Sequence, residues 1–352
     1  MHNSDSARPL DIAFFGSSLV SSYWNGAATY YRGIIKALAA RGHRVTFYEP
    51  DAFERQQHRD MDDPEWAQVV VYEATEAAAN QALQQAGDAD IVVKASGVGV
   101  LDEYLEREVL RYAGSKTVIF WDVDAPATLA RVHENPDDPF RALIPRYDYI
   151  LTYGGGDPVV QAYGKLGARL CQPIYNALDP ETHYPVQANP TFCADLAFLG
   201  NRLPDREARV REFFFKAVEA LPDCSFILGG SGWDQHAPQY PNLRYLGHVY
   251  TRDHNPFNCS PLAVLNINRD SMAETGFSPP TRVFEAAGAG ACLIMDRWRG
   301  AELFLEPDRE VLLASSGEEV IAHLRELTPE RSRQIGEAAR QRVLAEDRKS
   351  VV

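Results

Sequence analysis

The chain has 352 residues, enough for about two domains at roughly 150 residues apiece. With 45% hydrophobic and 24% charged residues it has the balance of an ordinary globular protein, long enough to bury its cores without covalent staples. Aspartate and glutamate outnumber lysine and arginine by 49 to 35, a net charge of -14, which argues against general nucleic-acid or anionic-membrane binding but leaves room for a local basic pocket.

The first half alternates short runs rich in Ile, Val, Phe and Tyr with helical patterns. The runs cover residues 11–16, 44–49, 90–95, 117–122, 148–154 and 169–175. They lack clean polar alternation, which predicts strands covered on both faces. Between the first two, Tyr30, Ile34 and Leu38 share one helix face within residues 25–41, and Gly42 stands where a C-cap glycine belongs. Residues 176–190, with Pro180, Pro185 and Pro190, interrupt the pattern and predict an interdomain linker. Strands are expected again at 196–199, 225–228, 243–246, 263–267 and 291–295, and helices at 206–220, 281–289, 318–327 and 329–346. The predicted fold class is α/β, with two parallel Rossmann-like sheets in domains 1–180 and 181–352.

Cys171, Cys193, Cys224, Cys259 and Cys292 are odd in number and none has CxxC spacing, so no disulfide framework or zinc knuckle is expected. No apolar run approaches the ~18 residues of a membrane helix, and the run at 12–15 is too short for a signal-peptide core. A reduced, cytoplasmic setting is expected.

In open α/β sheets, ligands bind beyond the carboxyl ends of the strands. After the first strand come Gly16, Ser17 and Ser18, without the GxGxxG of a dinucleotide fingerprint. Asp122 and Asp124 follow the fourth strand. Their spacing matches a motif in which two carboxylates hold a hard divalent ion against a diphosphate. The alternative, preferred here, is a pair of cleft carboxylates that act as a base or hold hydroxyls, Asp122 also being suited to cap the next turn; no metal site is expected. Gly154, Gly155 and Gly156 lead into Asp157-Pro158, a helix start with Asp as N-cap and Pro in the first position. Three glycines before a cap suit either a flexible loop or close approach of a ligand.

The second half carries the more specific pattern. A strand ends at Gly200 with Arg202 just beyond it. Ser278-Pro-Pro-Thr281-Arg282 opens a helix, with Thr281 as a candidate cap and free N–H groups that make an anion site. Glu285, one turn further along, has two acceptor oxygens for a ribose diol, the competing reading being a surface ion pair with Arg282. His248 and Tyr250 follow another glycine-terminated strand and suit stacking on a nucleobase, or simple loop packing. His133, His183 and His254 show no metal-ligand spacing with one another.

Together these residues resemble a glycosyltransferase of the GT-B fold, more narrowly the CgeB-like, group 1 related transferases. The resemblance covers most of the chain. It rests on Phe14-Phe-Gly16, Trp121-Asp-Val-Asp-Ala-Pro126, Asp148-Tyr-Ile-Leu-Thr-Tyr153 with Gln161-Ala-Tyr-Gly-Lys-Leu-Gly167, Leu199-Gly-Asn-Arg202, Gly247-His-Val-Tyr250, and most specifically Arg282-Val-Phe-Glu285-Ala-Ala-Gly-Ala-Gly290. It implies two Rossmann-like domains facing each other across a cleft. The second would hold a nucleotide-diphosphate sugar, which is a substrate, with no cofactor required. The first would admit an acceptor that the sequence does not specify: glycan, lipid, protein or small molecule. By motif position Glu285 matches the ribose-binding glutamate, Gly200 and Arg202 the phosphate loop, and His248 to Tyr250 the base loop. Gly16, Ser17 and Gly154 to Gly156 would line the cleft. Group 1 enzymes usually carry a second glutamate eight residues before the ribose one; here that position is Phe277 and the nearest acid is Glu274. The departing diphosphate would be stabilised by a helix dipole and arginine charge, and Asp122 or Asp124 would serve as base. Two rival readings share the pattern: a nucleotide-sugar epimerase of the same fold, and a non-catalytic two-domain small-molecule binding protein.

Overall fold

In the computed structural model, residues 8–347 are described. The chain divides into two compact units, 1–174 and 175–352.

The first unit runs β1 (Asp11–Phe15), α1 (Ala28–Ala40), β2 (Arg44–Asp51), β3 (Gln68–Glu73), α2 (Glu76–Gln85), β4 (Ile91–Ala95), α3 (Asp102–Tyr112), β5 (Thr117–Asp122), α4 (Ala125–Glu134), α5 (Pro139–Leu143), β6 (Tyr149–Thr152), α6 (Gly156–Lys165) and β7 (Cys171–Pro173). Its seven strands are parallel, in the order β3-β2-β1-β4-β5-β6-β7. Side chains of β1 alternate between two cores: Ala13 and Phe15 join one, Ile12 and Phe14 the other. Both faces are covered, which is why the sequence lacks polar alternation. Edge strand β3 was not expected from the sequence. Its run Val69 to Tyr72 is apolar but short, and as an edge strand it buries only Tyr72.

The second unit runs β8 (Leu196–Leu199), α7 (Pro204–Val210), α8 (Lys216–Ala220), β9 (Phe226–Gly229), β10 (Leu243–Gly247), α9 (Thr251–Cys259), β11 (Ala263–Asn266), α10 (Asp270–Thr275), α11 (Thr281–Gly288), β12 (Leu293–Asp296), β13 (Leu312–Ala314), α12 (Gly317–Glu326) and α13 (Pro329–Asp347). Six parallel strands lie in the order β10-β9-β8-β11-β12-β13. The helix expected at 206–220 is split: a π-helical turn, Arg211–Phe215, joins α7 to α8 and buries Phe213, Phe214 and Phe215 together. β13 has only three residues, too few to stand out in sequence.

The segment expected as a linker packs onto the second unit. Leu178 is buried in that unit's core beside α11, where a Cβ on Gly288 would come within 2.2 Å of it. Asn176 donates to the Pro279 carbonyl at 2.7 Å. The prolines stiffen a strap that is anchored by burial.

One buried acid in the first unit sets a pH dependence. Glu106 on α3 is 3% exposed, one of its oxygens has no hydrogen-bond partner, and Arg131 stands 3.5 Å from the other. Burial pushes its pKa up to about 7 from an ordinary 4.5, against the pull of Lys94 and Arg131. The fold therefore favours the protonated form. That contribution is full below pH 4.5 and is lost as pH rises through 7. Glu106→Gln is expected to be more stable than the parent at pH 8, relative to their difference at pH 5, by about 1–3 kcal/mol. Urea unfolding at the two pH values measures this, and a pH-independent difference would refute it.

Candidate functional site

Ligand sites in such sheets lie where the strand order reverses. In the second sheet that point falls between β8 and β11. Beyond β8, Gly200 and Gly230 meet back to back: a Cβ on Gly230, whose φ is +117°, would come within 2.3 Å of the Gly200 carbonyl oxygen. Arg202 N–H donates to the Ser231 carbonyl at 2.9 Å, and Ser231 N–H to Asn201 Oδ1 at 2.9 Å. This leaves two stretches of bare backbone at the sheet's end. Beyond β11, Asn268 N–H donates to the buried carboxylate of Asp296, and its side chain donates to the carbonyl of buried Ser278 at 3.3 Å.

Charge collects at this end. Arg206 on α7 donates to the Asn201 carbonyl, and a Cβ on Gly200 would come within 3.0 Å of its guanidinium. Burial, and then the neighbouring cation of Arg269 with a smaller part from Arg282, push its pKa down to about 10, so it stays protonated near neutrality. Arg206 therefore feels the guanidinium groups of both Arg269 and Arg282, partly offset by the carboxylates of Asp205 and Asp296. Arg269 pairs with Asp205 at 2.6 Å and Arg282 with Glu285 at 2.9 Å. Arg206 has no such pair among the described residues, and its Nε is buried with no partner. Arg202, predicted for this role, turns to Glu207 at 2.6 Å. The sequence analysis passed over Arg206 and Arg269. Their signal, arginines just past two strand ends, becomes specific only once the strand order is known.

Helix α11 begins at Thr281, so Thr281 is its first residue; Pro280 occupies the cap position and no side chain caps the helix. Arg282 and Glu285 are 16% and 6% exposed at the side chain, which disposes of the surface-pair reading. Glu285 also faces two histidines. His183 Nε2 stands 3.9 Å from Oε1, and His254 Nδ1 stands 3.9 Å from Oε2. The two rings stack at 5.9 Å, and both histidines are buried. Burial, then the Arg282 cation, pushes the His254 pKa down to about 3, so the ring is neutral. Sequence spacing could not link these residues, which come from the strap, α9 and α11. His248 and Tyr250 pack edge-on at 4.5 Å after Gly247, and Arg252 lies over the Tyr250 ring at 5.5 Å.

At the position where group 1 enzymes usually carry a glutamate, Phe277 adopts a left-handed φ of 49°. Its ring lies under Arg299 at 5.1 Å and against Gly300. Glu274 is exposed on α10.

In the first unit, Asp122 is fully buried. Its carboxylate accepts from Ser96 Oγ at 2.7 Å, Asp124 N–H at 3.1 Å, Thr128 Oγ1 at 3.0 Å and Tyr163 O–H at 2.5 Å. Burial raises its pKa and these donors pull it back. Asp122 thus ties the ends of β4 and β5 to α4 and α6. Asp124 is the cap-position residue of α4 and is partly exposed, so of the two it is the one an acceptor could reach. Gly16 is required by packing, since a Cβ there would come within 2.5 Å of the Phe47 ring. Ser17 is buried and donates to Asn25 at 2.8 Å. Gly154, buried, accepts from Thr152. Helix α6 starts at Gly156, with Gly155 rather than Asp157 at the cap position. Gly155 has φ +87° and Gly156 +52°, so the turn itself demands these glycines.

Residues 206–348 match the family described as Glycosyl transferase-like. No curated protein matches the chain in sequence. Among solved structures, sucrose-phosphate synthase from Thermosynechococcus elongatus superposes with a TM-score of 0.69 at 12% identity, over 96% of this chain and 94% of that one. HepE from Anabaena, solved in complex with UDP-glucose, gives 0.63 at 14% identity, over 97% and 100%. An α-glucosyltransferase solved with UDP-glucose and DNA containing an abasic site gives 0.68 at 13% identity, over 98% and 99%. The fold is thus two Rossmann-like domains of GT-B architecture. No helix among the described residues is long and apolar enough to cross a membrane.

The four donors on Asp122 generate a test. Asp122→Ala leaves three hydroxyls and an N–H without their acceptor and should cost at least about 3 kcal/mol of stability. Chemical unfolding measures this; a loss below about 1 kcal/mol would show that Asp122 does not hold the fold together.

Proposed function

We propose that the chain transfers a sugar from a nucleotide-diphosphate donor to an acceptor hydroxyl, with the donor held by the second domain. One observation carries this reading: Arg206 is a largely buried cation that no carboxylate contacts among the described residues, beside two other arginines and bare glycine backbone, with Asp205 and Asp296 acting on it only from further away. A buried charge without a contacting counter-ion is costly, and an anionic ligand relieves that cost. A diphosphate supplies the anion and is stabilised further by the uncapped N–H groups of α11.

In this reading Arg206, Arg269 and Arg282 meet the diphosphate, with Gly200 and Gly230 letting it approach the backbone. Arg202 and Ser278 border the same loops. Glu285 accepts the two ribose hydroxyls, and His248 and Tyr250 stack on the base. The arginines and the helix dipole stabilise the charge that develops on the departing nucleoside diphosphate, which is commonly the largest catalytic effect. In the first domain Asp124 takes the acceptor proton, held in place by the Asp122 network. No metal is required, because the positive charge is supplied by side chains. Structures of like fold were solved with UDP or UDP-glucose, so UDP-sugars are the first donors to try.

Calorimetry with UDP tests the assignment. Arg206→Ala should weaken binding at least tenfold, and Glu285→Gln by roughly 1–3 kcal/mol, both without loss of fold. Unchanged affinity in both variants would remove the site. Donor turnover should persist in EDTA; complete loss there, restored by Mg²⁺ or Mn²⁺, would make the carboxylates metal ligands instead.

A further inference from the structure

We propose that His183, His254 and Glu285 form a binding site for a divalent transition-metal ion of the Zn²⁺ class, and that its occupation competes with nucleotide for Glu285. The competition rests on the ribose role proposed above; the coordination does not.

One ligand atom from each of the three side chains lies within 4.8 Å of the other two. They come from three separate elements, and all three residues are buried, at 3%, 6% and 5% exposure. His254 hydrogen-bonds to the Val249 backbone, while its Nδ1 is buried with no hydrogen-bond partner. The backbone bond engages the ring's other nitrogen and leaves Nδ1 as the atom offered to a ligand. Nδ1 stands 3.9 Å from a carboxylate oxygen, too far for a hydrogen bond between them. A cation coordinated by both would fill that gap.

The surroundings have the form expected around a metal. A ligating histidine usually donates its other N–H to a backbone carbonyl, as His254 does, and a ligating carboxylate is itself held by a donor. Arg282 holds Oε2 of Glu285 at 2.9 Å, while Oε1 faces His183. Two imidazoles and one carboxylate select Zn²⁺, Co²⁺ or Ni²⁺ over Mg²⁺ or Ca²⁺. In a tetrahedral shell with bonds near 2.1 Å, ligand atoms stand about 3.4 Å apart. The histidine–carboxylate separations of 3.9 Å need to close by about half an ångström, and the widest in the set, within 4.8 Å, by up to about 1.4 Å, which side-chain rotations supply. A fourth position stays open to water. Because Glu285 is both ligand and ribose acceptor, ion and nucleotide exclude each other, so the ion inhibits and is not a cofactor.

The metal-stripped full chain is titrated with Co²⁺ and followed by visible absorption. One Co²⁺ per chain with the intense bands of four- or five-coordinate cobalt is expected, displaced by Zn²⁺. His183→Ala and His254→Ala should each weaken it at least tenfold; His254→Asn and circular dichroism separate this from misfolding. No such bands, or bands indifferent to all three variants, overturn the site. UDP is then titrated with and without Zn²⁺. At least a tenfold loss of affinity is expected in the parent and none in His254→Ala, which corrects for chelation by free UDP. Equal loss in both refutes the competition. If Co²⁺ binds and UDP does not, the transferase reading fails and the metal site stands; if UDP binds and Co²⁺ gives no bands, the reverse holds.

Discussion

The second domain is organised around like charges held close together. Burial and the neighbouring cations of Arg269 and Arg282 lower the pKa of Arg206, against a pull from Asp205 and Asp296. Arg269 and Arg282 are paired, by Asp205 and Glu285, and Arg206 is anchored only by the Asn201 carbonyl. The other charges at this sheet end have contacting partners. Asp296, fully buried, takes Arg209 at 2.6 Å and the Asn268 N–H. Arg206 lies beside bare glycine backbone at Gly200, beyond β8. A ligand there replaces repulsion with attraction, and little protein reorganisation is needed.

The first domain solves the opposite problem. Its strand ends carry acids, and the fold neutralises them with donors. Asp122 collects four hydrogen bonds. Glu49, fully buried behind β2, accepts from Ser18 Oγ at 2.9 Å, Leu19 N–H at 2.6 Å and Gln56 at 2.6 Å. Lys94, also fully buried, pairs with Asp102 at 2.6 Å. These networks fix the loops after β1, β4 and β5, where a parallel sheet offers a binding surface. The carboxylates best supplied with donors are the least available for chemistry, which is why partly exposed Asp124 is favoured over Asp122.

Much of this was legible in the sequence, and the parts that were not share a cause. Strands buried on both faces announced themselves as unbroken apolar runs, as at 117–122 and 196–199. The edge strand β3, Val69 to Tyr72 flanked by Gln68 and Glu73, and the three-residue β13, Leu312 to Ala314, did not, although both are apolar, because each run is so short. Glu285 was found because it stands in a compact local motif. Arg206 and the pair His183–His254 were missed because their meaning depends on which strand lies beside which, and 71 residues separate the two histidines. The glycines at 155 and 156 misled in another way. They looked like room for a ligand, yet the backbone angles of the turn require them on their own account.

Phe277 shows how a departure from a family pattern can be read physically. A carboxylate at this position would hang from a residue with φ of 49°, a conformation costly for any side chain with a Cβ. Such strain persists only where surrounding structure imposes it, and here that structure is visible. Phe277 N–H donates to the Arg299 carbonyl at 2.7 Å, and its ring fills the space above Gly300, where a Cβ would come within 2.3 Å of it. Arg299 closes the ring's face. The loop is therefore clamped from both sides by apolar contact and cation–π attraction, worth about 0.5–2 kcal/mol. Its effect is carried one residue further, to Ser278, whose buried carbonyl accepts from Asn268 and so joins the loop before α11 to the end of β11. The clamp thus gives the loop a rigid approach to the N-terminus of α11, and Phe277 fixes its geometry.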